Sequence, residues 1–123
     1  MNFNTVFTAQ LLAGQTTVVT GGTSGIGAAM ALAFADLGAE VIALGLNSTG
    51  EHAPVHTGIR RLEMDVTDSK ALADCIGSFP ALQILVNCAG ISRNRDEYSL
   101  EPFDQVLAVN LRAVMVASEA GRQ

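Results

Sequence analysis

The sequence predicts an α/β fold of the doubly wound kind, with about four parallel strands in the order 3-2-1-4. Three observations predict it. Short β-branched apolar runs alternate with helical patterns, a glycine-rich segment joins the first run directly to the first helix, and a second turn of small residues follows the fourth run. Strands that alternate with helices need crossover connections, and the right-handedness of those crossovers leaves few topologies.

The first strand is Thr16 to Thr20, TTVVT, β-branched throughout as suits burial on both faces. The helix predicted from Gly25 to Leu37 carries Gly27, Ala28 and Ala31, small enough for close packing on a sheet. Glu40 to Leu44 is the second strand. Gly50, Pro54 and Gly58 then break any helical pattern between Asn47 and Gly58, which predicts a loop where a crossover helix would ordinarily stand. His52 and His56 in that loop have a metal-pair spacing only on a helix, so no metal site is expected. Ile59 to Met64, IRRLEM, is more polar and suits an outer strand. A short helix follows from Asp68 to Ile76, with Thr67 as its predicted N-cap. Leu82 to Val86 is the fourth strand, and Ser99 is placed to cap a long helix from Leu100 to about Ala120. Phe103, Val106, Leu107, Val114 and Ala117 fall at helical spacing around Asn110. They predict a buried amide, which needs partners or costs about 1–3 kcal/mol.

Composition narrows the function. The chain has 123 residues, 49% hydrophobic and only 15% charged, enough for one modest domain and unlike a disordered chain. Seven basic residues against twelve acidic ones leave a net charge of −5, which argues against nucleic acid as a partner. No apolar stretch approaches the ~20 residues of a membrane span. Met1 to Asn4 carries no positive region leading into an apolar one, so a cytoplasmic protein is expected. Cys75 and Cys88 show no metal spacing and read as buried free thiols.

The segment Thr20 to Gly27, TGGTSGIG, decides the reading. It leaves a buried strand and opens a helix at once. Gly21 makes the tight turn, Gly25 removes a side chain where a phosphate must approach, and Gly27 lets the helix lie close to the sheet. The free N–H groups at the helix start would face a pyrophosphate. The spacing is G-x-x-x-G-x-G, and the absence of a Lys-Ser/Thr pair after the last glycine excludes a P-loop. In the order 3-2-1-4 the turn Asn87-Cys88-Ala89-Gly90 lies beside this loop, at the switch point where open α/β sheets bind ligands.

Together these marks resemble the short-chain dehydrogenase/reductase family: TGGTSGIG at Thr20 to Gly27, Asp65-Val66 after the third strand, NCAG at Asn87 to Gly90, and VNL at Val109 to Leu111. The resemblance implies a Rossmann-type sheet over residues 1–123, bound to NAD or NADP. It places Gly21, Thr23, Ser24, Gly25, Ile26 and Gly27 along the pyrophosphate and nicotinamide side. Asp65 would accept from the adenine amino group with Val66 against the ring, and Asn87, Ala89 and Gly90 would flank the ribose near the nicotinamide. Asn110 would be the family's catalytic-helix asparagine. An alcohol or carbonyl substrate and a homo-oligomer formed through the 100–120 helix are implied as well, with no nucleic-acid or membrane partner.

Two departures from the family pattern matter. The acidic residue that an NAD-preferring member carries at the end of the second strand is replaced by Gly45, followed by Leu46, and no arginine stands there either. Ser24 occupies the loop position where many NADP-preferring members are basic, so the choice of cofactor stays open. The family's catalytic Tyr-x-x-x-Lys is also missing. The only tyrosine is Tyr98 and the only lysine Lys70, in the wrong order. The chain therefore reads as a truncated half of the full fold, inactive alone. The alternative is a non-catalytic dinucleotide-binding or sensing module. A methyltransferase-like sheet ranks below both, because it too needs an acidic residue where Gly45 stands.

Overall fold

The computed structural model describes residues 6–122; Met1 to Asn4, read above for targeting, lie outside them. Four strands, β1 (Thr16–Thr20), β2 (Glu40–Gly45), β3 (Ile59–Glu63) and β4 (Ile84–Asn87), form one parallel sheet in the order β3-β2-β1-β4. This is the predicted order. Val18 of β1 sits between Ile42 of β2 and Leu85 of β4, and Gly45 pairs with Glu63 across the β2–β3 boundary.

The helices cover both faces. On one, α1 (Gly25–Asp36) sets Ala31 and Ala35 against Val19, Val41 and Ala43, all buried. Alanines let the helix axis approach the sheet, as the sequence predicts. On the other face α2 (Ser69–Gly77) places Leu72 and Ile76 against Val18, Ile42 and Leu44, and the last helix adds Ala113 and Ala117. Residues 47–58 form a loop, and Gly58 returns the chain by donating its N–H to His56 Nδ1 at 2.8 Å. His56 Nε2 lies 3.2 Å from Asp36, His52 beside Glu51, and no metal-binding cluster exists among the described residues. Among these residues no helix is long and apolar enough to cross a membrane. Both cysteines are free and half-buried, and burial pushes the Cys75 thiol up, against a smaller opposing pull from Arg60.

Two local expectations are corrected. The N-cap of α2 is Asp68, whose Oδ1 accepts from Ala71 N–H at 3.0 Å. Thr67 instead turns its hydroxyl to Asp65 Oδ1 at 2.7 Å. The predicted long helix is not uniform. A five-residue π turn, Ala108–Arg112, separates α3 (Leu100–Leu107) from α4 (Ala113–Gly121). The extra residue of a π turn rotates the helix face that follows it. The apolar positions on either side of Asn110 therefore do not share one stripe, and Asn110 is exposed.

Candidate cofactor site

Position on the sheet comes first. The glycine loop leaves the carboxyl end of β1, and the turn after β4 lies directly beside it. Gly21 takes φ +66°, and a Cβ there would stand 2.7 Å from Ala89 Cα and N. The two turns thus touch backbone to backbone. A Cβ on Gly27 would meet Gly21 O at 2.1 Å, so the first turn of α1 rests on the loop itself. The hydroxyl of Thr20 ties the pair together, accepting from Cys88 N–H at 3.2 Å and Ala89 N–H at 3.3 Å.

These contacts leave an open helix start. The first-turn N–H groups of Gly25, Ile26 and Gly27 have no acceptor within the helix, and the Ser24 side chain makes no capping bond to them. A Cβ on Gly25 would meet nothing within 4 Å, and Ile26 is 76% exposed. Among the described residues nothing fills the space in front of the turn, and the dipole there favours an anion.

A cleft of about 190 Å³ continues from the loop towards β3, lined by Gly21, Thr23, Ser24, Asp65, Val66, Ala89 and Gly90 among the predicted residues. Gly45, Leu46, Met64, Ile91 and Val109 complete it. It opens into a groove of about 770 Å³ that reaches Thr67, Arg93 and Asp104. Gly25, Ile26 and Gly27 stand outside the cleft at the helix start, and Asn87 turns away, with Nδ2 donating to Ser118 Oγ at 3.3 Å. The hollow at the opposite edge of the sheet, around Thr16, Glu40 and Arg60, lies at the amino ends of the strands, where folds of this kind do not bind ligands.

Two side chains shape the cleft. Asp65 Oδ1 accepts from both the hydroxyl and the N–H of Thr67, at 2.7 and 2.9 Å. The Thr67 hydroxyl first, and its N–H second, hold the Asp65 carboxyl below the usual range. It is ionised at neutral pH, and its second oxygen makes no bond among the described residues. Asn110 reaches from the π turn to the chain after β4. Its Oδ1 accepts from Ile91 N–H at 2.8 Å and its Nδ2 donates to Ile91 O at 2.9 Å. The amide is satisfied by position rather than by burial. Asn110→Ala is expected to cost about 1 kcal/mol, the net worth of such bonds on a partly exposed backbone. It should also release Gly90 and Ile91, visible as faster hydrogen exchange at Ile91 N–H with the sheet amides unchanged.

Met64 and Ile91, which also line the cleft, carry no signal in their local sequence, and the partners of Thr20 and Leu46 are brought near only by the fold.

The chain matches the family model described as short chain dehydrogenase over residues 15–122. It is similar to D-threitol dehydrogenase of Mycolicibacterium smegmatis, 36% identical over 121 residues that cover 89% of this chain and 46% of that protein. It is similar to 2-dehydro-3-deoxy-D-gluconate 5-dehydrogenase of Escherichia coli, 30% identical, with 94% and 49% covered. Among solved structures, a dehydrogenase/reductase from Sinorhizobium meliloti superposes with a TM-score of 0.77 at 33% identity, covering 97% of this chain and 52% of that one. The chain spans about half the length of the curated relatives it matches.

Proposed function

The chain belongs to the short-chain dehydrogenase/reductase family, and from that membership we propose that it forms the dinucleotide-binding portion of an NAD- or NADP-dependent oxidoreductase acting on an alcohol or carbonyl. The observation that carries this reading is the backbone contact of the two turns at the switch point, beside a helix start with free N–H groups. When bound there, a nicotinamide cofactor supplies the hydride acceptor or donor. The protein's share is to bind and orient it. Gly21, Ser24, Gly25, Ile26 and Gly27 present N–H groups and room to the pyrophosphate. The free oxygen of Asp65 accepts from the adenine amino group while Val66 packs on the ring. Ala89 and Gly90 border the nicotinamide ribose, Asn87 is held off it by its bond to Ser118, and Asn110 holds their turn through Ile91.

Within these 123 residues the proton chemistry of the family has no carrier. Lys70 lies on α2 and is paired with Asp74, while Tyr98 is 93% exposed at the end of a 3-10 turn, Asn94–Tyr98. The 123-residue chain therefore binds cofactor without turning over substrate. Self-association through the last helix belongs to the same proposal, since Leu100, Phe103, Leu111 and Met115 are exposed there.

Titration with NADH and NADPH, followed by nicotinamide fluorescence, tests the reading. Saturable binding of at least one is expected, with no cofactor oxidation or reduction on addition of polyols or ketones. Failure to bind either would overturn it. Sedimentation of the same sample as a monomer would remove the self-association.

A further inference from the structure

The carboxyl end of β2 is where a dinucleotide site of this architecture reads the adenosine ribose, with an acidic group for a 2′-hydroxyl or an arginine for a 2′-phosphate. Here β2 brings neither. Gly45 has no side chain, and its place is taken by Thr23, whose Oγ1 would lie 2.2 Å from a Cβ on Gly45. Thr23 Oγ1 donates to Leu46 O at 2.8 Å, so it too is engaged.

The neighbouring strand brings what β2 lacks. Glu63, the last residue of β3, is the register partner of Gly45. Its Oε2 accepts from Asn47 N–H at 3.0 Å and its Oε1 from Ser48 N–H at 2.9 Å. Asn47 has φ +54°, the left-handed bend that aims successive N–H groups at one anion. The residues on either side of this clamp, Leu46 and Met64, line the cleft. The Ser48 N–H, more than that of Asn47, holds the Glu63 carboxyl below the usual range against the opposing effect of burial. No Lys or Arg among the described residues forms an ion pair with it.

We propose that Glu63 makes this site select NAD over NADP, supplying from β3 the negative charge that β2 lacks. It acts in two ways. It fills the pair of N–H donors that the loop after β2 would otherwise offer a 2′-phosphate, and it fixes a like charge beside the place such a phosphate must occupy. The inference rests on the cofactor reading above, and one experiment separates the two.

NADH and NADPH are titrated by nicotinamide fluorescence into the protein carrying this sequence, wild type and with Glu63→Gln and Glu63→Ala. The wild type is expected to bind NADH about tenfold or more tightly than NADPH, the scale of a like-charge contact near a surface. Both variants should narrow that ratio by a similar factor through tighter NADPH binding, with NADH affinity little changed. Raising the ionic strength should narrow the wild-type ratio too, because the carboxylate is exposed. Equal affinities in the wild type, or a ratio unmoved by Glu63→Gln, would overturn the assignment. So would a preference for NADPH, which would give the 2′-phosphate to Arg93 across the groove. A wild-type ratio of one or below overturns the assignment even if a variant fails to fold, and either variant alone is enough to test the role of Glu63. Binding of neither dinucleotide overturns the cofactor reading itself.

Discussion

Gly27→Ala is expected to abolish dinucleotide binding and to destabilise the chain by about 1–3 kcal/mol or more, the range for forcing one extra methyl into a packed site. The added Cβ would lie 2.1 Å from Gly21 O, 2.7 Å from Gly21 C and 3.1 Å from Gly22 Cα. All three are backbone atoms, so no side chain can rotate out of the way. Either α1 lifts off the sheet or the loop moves outward. Lifting α1 opens the layer of Ala31, Ala35, Val19 and Ala43, whose close fit depends on small residues. Moving the loop breaks the contact of Gly21 with Ala89 and the two bonds of Thr20 to the turn after β4. Both routes misplace the N–H groups that would face a pyrophosphate. Gly25 shows a different constraint: its φ of +53° disfavours a side chain, but nothing lies within 4 Å of the added carbon. Thermal unfolding followed by circular dichroism, with NADH titration at low temperature, measures both consequences for Gly27→Ala. An unchanged melting temperature with unchanged affinity would show that the loop does not rest on α1.

The features legible in the sequence are those set by neighbouring residues. TTVVT is β-branched and unbroken, so β1 is central; IRRLE carries two arginines, so β3 is an edge. The glycine spacing places the loop because each glycine answers a local steric demand. What escaped the reading depends on distant partners or on choices between adjacent residues. Thr67 and Asp68 are both good caps, and Asp68 takes the helix because the Thr67 hydroxyl is spent on Asp65. Asn110 reads as buried only if the helix keeps one period through Ala108–Arg112, and composition gives no sign of the π turn there. The amide's need for partners was legible; that Ile91 meets it at the surface was not. Glu63 lies 15 residues from the Ser48 N–H it accepts from. A search for an acidic residue confined to the end of β2 passes it by, since only the β2–β3 register brings the two together.

Leu72→Ala is expected to lower stability by about 2–5 kcal/mol, the cost of a large-to-small change in a core that cannot collapse around it. Leu72 is fully buried on α2, in the cluster that holds Val18, Ile42, Leu44 and Ile76, with Ala113 and Ala117 of α4 closing the layer. Three of these neighbours are strand residues fixed by the sheet register, and the two alanines are too short to fill the space. A domain of this size has about 5–15 kcal/mol in total, so the melting temperature should fall by roughly 10 °C. The cavity lies on the face of the sheet opposite α1. Below the new melting temperature the glycine loop, the turn after β4 and the Glu63 clamp keep their geometry. NADH affinity measured there should stay within a few-fold of the wild type: the Leu72 cluster reaches the cleft through Val66, Met64, Ala89 and Val109, while the loop N–H groups lie outside it. The two variants then separate two roles of one sheet: Gly27→Ala removes binding through the loop, and Leu72→Ala removes stability through the core. If Leu72→Ala also weakened NADH binding at low temperature by tenfold or more, α2 and α4 would be part of the cofactor site. The route would run from Arg112 beside Ser69 of α2 to the π turn that holds Asn110.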